Sequence, residues 1–358
     1  WRTDMILQER TEALYGELRR ELLRFTPGSR FYSVRQLMLR YGVSRRVIDA
    51  AVEQLEREQA VEARPGSGIY VKQTSPRKRV AVFLPDWPSE GNRRFSQDLR
   101  AEFAKRSERW DFSIVPYDHQ GSILRVVAET AAAVSILIWP GRLVSREELG
   151  ELARLPGEVV MMWYDLFGVS VHSVCANSEY GGMLAAAGFI RKGHRKLAVI
   201  ASEPRNHDIV DRIAGFVNTA RLFGAEAVEI PCEIHSGDYS TGCAHDAMVE
   251  YLAAHRCGFT GLFTMSDEST QGIISALAEY GLHVPDEVSI ISYGNDRNAD
   301  FFMPPLTTVS GCHTECARRL AAELDRREET HDSSTIYIRA NPSLIERESV
   351  KNLKSPKK

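Results

Sequence analysis

Two adjacent arginines, Arg45 and Arg46, open an apolar-periodic segment made of Val47, Ile48, Ala51, Val52 and Leu55. Positive charge in the first turn of a helix opposes the macrodipole. The pair therefore calls for an anionic partner, which a phosphate or a base edge supplies. Further on, Arg64-Pro-Gly-Ser-Gly-Ile-Tyr-Val71 has the composition of a hairpin tip. Bare backbone amides and one arginine at a tip suit a phosphate or a minor groove. This is the chemistry of nucleic-acid recognition and not of bond making. No Gly-x-Ser-x-Gly elbow and no His-Glu-x-x-His occurs. Cys312-His313-x-x-Cys316 has zinc-type ligands but no second pair to complete a tetrahedral site. No metal, no cofactor and no enzymatic activity are expected.

The elements that must position these arginines are short. Val34, Leu37 and Met38 place apolar side chains on one helical stripe. Ser33 is suited to cap that helix, and Ser44 the next. Gly42 between them is free to take the left-handed turn. Two helices joined so tightly form a helix-turn-helix, whose second helix presents its first turn to the major groove. A preceding helix over 3–25 carries Leu7, Leu14, Leu18 and Leu22 on one face and ends at Pro27-Gly28. The polar stretch 72–78 (KQTSPRK) reads as a tether.

Charge is distributed to match. The net charge of the 358 residues is −3, yet residues 1–79 hold sixteen Lys and Arg against ten Asp and Glu. A basic front on an acidic body puts the nucleic-acid footprint at one end. Apolar residues make up 43% and charged residues 26%, an ordinary globular balance. The six cysteines form no Cys-x-x-Cys pair, and no leader-like or membrane-spanning run is seen. The expectation is reduced thiols in a cytoplasmic protein.

From Arg79 onward, β-rich runs alternate with helical segments. Strands are expected at 80–84, 112–115, 136–139, 159–163, 171–176, 196–201, 227–230, 261–265, 288–292 and 335–339. Helices are expected at 93–106, 179–191, 211–223, 239–254, 268–280 and 314–327. Repeated βα units imply parallel sheets covered on both faces. About 270 residues is long for one sheet, so two lobes with a ligand cleft outside the strand carboxyl ends is the expected division.

Residues Pro27-Gly28, Ser33-x-Arg35-x-Leu37, Gly42-Val43-Ser44-Arg45, Ala51-x-x-x-Leu55 and Gly66-Ser67-Gly68-x-x-Val71 together resemble the winged-helix domain of GntR-family transcription factors. The candidate DNA contacts are Ser33, Arg35, Ser44, Arg45, Arg46, Arg64, Gly66 and Ser67. Arg35 and Arg45 take the places where the family's arginines touch DNA. The chain departs from the family at Phe31-Tyr32, which stand for Leu-Pro, and at Val47 and Asp49, which stand for threonine and arginine in the recognition helix. An aspartate there repels phosphate, or accepts from a cytosine amine.

The body resembles the effector domain of the LacI family. The resemblance rests on Tyr180-Gly-Gly-Met-Leu-Ala, Gly193-His194-Arg195-Lys196-Leu197, Arg212-x-x-Gly215-Phe216, Gly281-x-x-Val284-Pro285-Asp286, Pro304-Pro305-Leu306-Thr307-Thr308-Val309 and Ile345-x-Arg347-Glu348-Ser349. It implies a periplasmic-binding-protein-like (type I) fold of two lobes joined by three crossovers. It also implies that Trp87, Asp165, Asp208, Arg212, Tyr239, Ser266, Asp267, Asn295 and His313 face a small polar effector. The family's Gly-Phe-Asp-Asp reads Ser292-Tyr293-Gly294-Asn295 here, so the gripping aspartate is Gly294 unless Asn295 or Asp296 turns inward.

The expected architecture is α/β, an N-terminal winged helix-turn-helix followed by a two-lobed parallel-sheet body. The boundaries are a DNA-binding domain at 1–72, a linker at 73–79, an effector domain at 80–349 and a basic tail at 350–358. The first lobe is expected at about 80–177 and 307–330, and the second at about 178–306 and 331–349. The expected function is a homodimeric repressor on double-stranded operator DNA, released by a sugar or sugar derivative, with no membrane partner. The alternative is an effector-independent regulator with a degenerate cleft. An aminotransferase-like body, also found behind GntR-type heads, is disfavoured because no lysine sits in a Schiff-base frame.

Overall fold

The computed structural model describes residues 2–22, 24–26, 28–58, 60–64, 67–72, 77–87 and 89–354, with the side chains of 2–9 and of Arg20 outside the description. It divides into two units, Trp1–Lys78 and Arg79–Lys358.

The first unit holds α1 (Arg2–Leu22), α2 (Val34–Tyr41), α3 (Arg45–Arg57), β1 (Val61–Arg64) and β2 (Gly68–Val71). The strands pair antiparallel, with Val61 opposite Val71 and Arg64 opposite Gly68. Leu14 and Leu18 of α1, Leu37 of α2, Ile48 and Leu55 of α3 and Ile69 of β2 close one core. Ser33 caps α2 in a full capping box with Gln36. Gly42 ends the helix at φ 63° with its N–H on the Met38 carbonyl, the left-handed turn that a Cβ would oppose. Ser44 differs from expectation. It is extended and stands at the N-cap of α3, but its hydroxyl makes no cap hydrogen bond and the residue is exposed. Leu7, Pro27 and Gly66 lie outside the described side chains or residues.

The second unit begins with β3 (Lys78–Pro85), α4 (Glu90–Ala104), β4 (Trp110–Tyr117), α5 (Ile123–Thr130), β5 (Val134–Ile138), α6 (Arg146–Leu152), β6 (Glu158–Met162) and β7 (His172–Ala176). It continues with α7 (Ser178–Arg191), β8 (Lys196–Ile200), α8 (His207–Leu222), β9 (Glu226–Ile230), α9 (Ser240–Ala254), β10 (Gly261–Thr264), α10 (Asp267–Glu279), β11 (Ser289–Gly294) and β12 (Thr307–Ser310). It ends with α11 (His313–Thr330), β13 (Tyr337–Ala340) and β14 (Leu344–Ile345). Two six-stranded sheets result, in the orders β13-β7-β6-β5-β3-β4 and β14-β12-β11-β10-β8-β9. Only β14 is antiparallel among the described pairings of the second sheet. Near-continuous apolar strands such as β5, buried at every position, are what a sheet covered on both faces requires.

The chain passes between the lobes near 177, 311 and 342. This corrects the expected lobe limits. Residues 307–310 pair with β11 in the second sheet, and 337–340 pair with β7 in the first. The reason is that α11 packs on α4 of the first lobe, so the crossover falls just before α11 and its following strand stays with it. Asp325 of α11 ties this contact through Arg106 Nε at 2.6 Å and Trp110 Nε1 at 2.7 Å.

Helices α7 and α8 approach at a pair of glycines. A Cβ on Gly182 would lie 2.0 Å from the Arg212 carbonyl oxygen, and one on Gly215 would lie 2.0 Å from that of Glu179. Only bare backbone permits this spacing. It decides where Arg212 stands. α8 starts at His207, capped by the Asn206 side chain, four residues earlier than the periodicity indicates. Asp208 and Arg212 therefore share one helical face at i, i+4.

Candidate functional site

In the first unit the candidate contacts are presented by two helix starts and a hairpin tip. Arg35, Ser44, Arg45, Arg46, Arg64 and Ser67 are all exposed, and Ser33 is half-buried by its capping role. Val47, in the family's threonine position, is buried in the core and not available to DNA. Asp49 pairs with Arg45, Oδ2 to Nε at 3.3 Å. The aspartate thus engages an exposed arginine in the first turn of α3. Arg46 and Arg35 have no ion pair among the described residues. At the tip, Arg64 pairs with Glu62 at 2.9 Å and lies over the Tyr70 ring at 4.5 Å. The Tyr70 hydroxyl meets that of Ser67 at 2.7 Å. The tip is a braced wing with its cation already stacked.

In the second unit a cavity of about 160 Å³ opens between the lobes at the carboxyl ends of both sheets. Trp87, Trp139 and Trp163 follow β3, β5 and β6 and make the wall of the first lobe. Glu203 follows β8, Ser266 follows β10, Asp296 follows β11, and His313 opens α11 after β12. This is the placement that open parallel sheets give their ligands. Another cavity, of about 260 Å³, lies at the other end of the first sheet around Glu158, His172 and Arg327. It is away from the strand carboxyl ends.

Arg212 is 4% exposed. It donates to Asp208 and, through Nη1 at 2.8 Å, to the Met265 carbonyl. Its guanidinium lies 3.3 Å from the centre of the Tyr293 ring. Asp208 also accepts from Ser178. His313 sits edge-on to Trp163, and burial together with Arg94 and Arg212 pushes its ring down to about 3, so it is neutral. Glu203 accepts from Ser266 and Ser240. Burial lifts its carboxyl to about 7 against these hydrogen bonds, with Glu268 adding to the rise. Asp296 is likewise raised to about 7, by burial and then by Asp267 beside it. Four buried polar atoms on lining residues have no hydrogen-bond partner: Trp139 Nε1, Arg212 Nε, the Tyr293 hydroxyl and Asp296 Oδ1. Natural interiors rarely leave such groups unpaired, and their convergence on one cavity marks it as suited to a polar ligand.

Of the expected effector contacts, Trp87, Asp208, Arg212, Ser266 and His313 line the cavity. Four do not. Asp165 lies beyond the β6 strand end, after Trp163 turns the chain at φ 66°. It pairs with Arg339 at 3.2 Å and accepts from the Tyr337 hydroxyl. Tyr239 is 60% exposed at the N-cap of α9. Asp267 is fully buried and accepts from Ser292, Thr308 and the Asp296 amide, a structural anchor for the strand ends. Asn295, at φ 55°, turns its amide to Arg347. The inward turn falls instead to Asp296. Gly294 has φ 134°, and a Cβ there would lie 3.4 Å from Asp267 Oδ2 and 3.5 Å from both Asp296 oxygens. A third carboxylate at this point has neither backbone freedom nor charge balance. Trp139, Trp163, Glu203 and Glu268 were missed. Their signal was a polar or aromatic residue within a few positions of a strand end.

Fold and cleft together define a winged-helix head and a two-lobed body with a polar cavity between its lobes. Residues 10–71 match the bacterial regulatory proteins of the gntR family, and residues 186–350 match the periplasmic binding protein-like domain. The chain joins a helix-turn-helix domain of the gntR regulatory type to a periplasmic binding protein-like domain. The HTH-type transcriptional repressor PurR of Vibrio atlanticus is 28% identical over 66% of this chain and 70% of its own. PurR of Escherichia coli O1:K1 is 33% identical over 54% of this chain and 55% of its own. The chain spans little more than half the length of most of these curated relatives. Among solved structures, a LacI family transcriptional regulator from Enterococcus faecium with bound ribose superposes with a TM-score of 0.64 at 20% identity, over 77% of this chain and 100% of its own. The LacI family regulator CCPA from Weissella paramesenteroides with bound sucrose gives 0.63 at 17%, over 77% and 100%. No helix among the described residues is long and apolar enough to cross a membrane.

Proposed function

We propose that this chain is a transcription repressor that binds operator DNA as a homodimer and is released by a small polar effector in the interlobe cleft. The observation that carries the effector half is the set of unpaired buried polar atoms on Trp139, Arg212, Tyr293 and Asp296 around one cavity. The exposed arginines of α2, α3 and the wing support the DNA half. The related PurR repressors and the sugar-bound LacI-type structures support a small-molecule ligand. Effector binding closes the lobes, and closure shifts the population of heads competent for paired half-sites. The body acts as a ligand sensor without catalysis.

The test is a gel-shift titration with the wild type and Arg212→Ala. The variant loses a charged donor set, which costs about 1.5–3 kcal/mol of effector affinity. Its effector-free DNA binding is expected to match wild type, because the head is untouched, while release from DNA fails. A full effector response in Arg212→Ala, with its melting temperature preserved, rules out this cleft as the site. If no compound releases the wild type, the effector-independent reading takes its place.

A further inference from the structure

The charge lining the cleft is lopsided. Glu203, Asp208, Glu268 and Asp296 line it against Arg212, and His313 is neutral; the next cation, Arg94, donates to the Asn295 carbonyl and acts on Asp296 only from beyond ion-pair distance. Arg212 is committed to Asp208 and the Met265 carbonyl. Glu203, Glu268 and Asp296 make no ion pair among the described residues. Glu203 accepts only serine hydroxyls, and Glu268 accepts the Glu90 amide at 3.3 Å. Asp296 is 8% exposed and its Oδ1 has no partner at all. The opposite wall presents three tryptophans.

Building on the effector reading above, we infer that the ligand of this cleft carries a protonated amine, seated among Glu203, Glu268 and Asp296 and facing the tryptophan wall. A neutral polyol would satisfy lone pairs but leave up to three carboxylate charges without an ion-pair partner in a site that closure dries. A phosphorylated or carboxylated ligand would add to the repulsion. An ammonium group supplies the missing charge and three donors at once. The chemical class is an amine-bearing small polar molecule, such as an amino sugar.

The experiment is a calorimetric and thermal-shift comparison on the full chain with glucose, glucosamine, N-acetylglucosamine, glucose 6-phosphate and ethanolamine. The two amines are expected to raise the melting temperature, with glucosamine binding at least roughly tenfold tighter than glucose or its capped N-acetyl form, the difference a charged hydrogen bond makes. Glu268→Gln and Asp296→Asn are expected to erase most of that preference while keeping a melting temperature at or above wild type, since each removes a carboxylate charge that has no ion-pair partner. If glucose or the phosphate binds as well as glucosamine, the cationic inference falls and the effector reading stands. If no compound in the set raises the melting temperature, the inference falls as well. A gel-shift in which Arg212→Ala still responds to some other compound would overturn the effector site itself.

Discussion

Asp49 occupies a recognition helix where a positive residue is usual, and its partner explains how that is tolerated. Paired to Arg45 at 3.3 Å on an exposed helix face, it contributes little to stability, but it sets the arginine's rotamer. Arg45→Ala is expected to cost about 1–3 kcal/mol of operator binding if the arginine reads a base. Arg46→Ala should weaken all duplexes alike and reduce the salt slope by about one. Mobility shifts at several salt concentrations separate the two roles, and unchanged affinity in both variants would remove α3 from the groove. Glu203 and Asp296 make a second prediction at this scale. Folding moves them from 4.5 and 3.8 to about 7, chiefly by burial. The folded body then binds more protons than the unfolded chain between roughly pH 4 and 7, so these two groups make stability fall as pH rises through that window and level off above it. Melting curves from pH 5 to 8.5 should show a shallower decline for the Glu203→Gln/Asp296→Asn pair, and a higher melting temperature at pH 8. Parallel curves for the two proteins would mean that neither carboxyl is displaced.

Helices α7 and α8 are held in register by Gly182 and Gly215, and their closeness puts Asp208 and Arg212 at the cleft. A methyl group at either glycine meets backbone at 2.0 Å, which no rotamer change relieves. Gly215→Ala should separate the helices, cost about 1–3 kcal/mol of body stability as other overpacked sites do, and lower effector affinity together with it. Gly224→Ala is the control: that glycine has nothing within 4 Å but lies at φ 70°, so it should lose stability through backbone strain alone and keep its ligand response. Equal effector affinity in Gly215→Ala and wild type would disconnect the helix crossing from the site.

At the scale of the molecule, assembly follows from what the heads require. Paired half-sites need paired winged helices. A homodimer is expected, joined through the first lobe over 93–106 and 122–133. One face of α4 is already taken by α11, which leaves its outward side and α5, with Leu124 and Val126 half-buried, for the partner. Light scattering should give twice the 40.2 kDa of the chain, and a particle of chain mass at micromolar concentration, with DNA present, would contradict it. Across the cleft, the Glu90 amide reaches Glu268 and Arg94 reaches the Asn295 carbonyl. These are bonds between lobes that a ligand would reinforce.

The winged helix was legible from residue order because its determinants are local. A capping serine at 33, a left-handed glycine at 42 and an apolar stripe over 47–55 each act within one turn of chain. The alternation of strands and helices was legible for the same reason. The cleft was only half legible. Arg212, Asp208, Ser266 and His313 follow strand ends or helix starts and keep the places that the motifs imply. Asp165, Tyr239, Asp267 and Asn295 carry suitable side chains, but their direction depends on one backbone angle or one distant partner: Trp163 at φ 66°, Asn295 at φ 55°, Arg339 across the sheet. A rotation of the chain by a single residue exchanges Asn295 for Asp296 as the group turned inward. Residue type and spacing determined the head, the class of the body and the existence of a polar cleft. Which carboxylates face that cleft, and that three of them do so without an ion pair among the described residues, was decided only when strand ends from two sheets met, because burial and charge balance are properties of the assembled site.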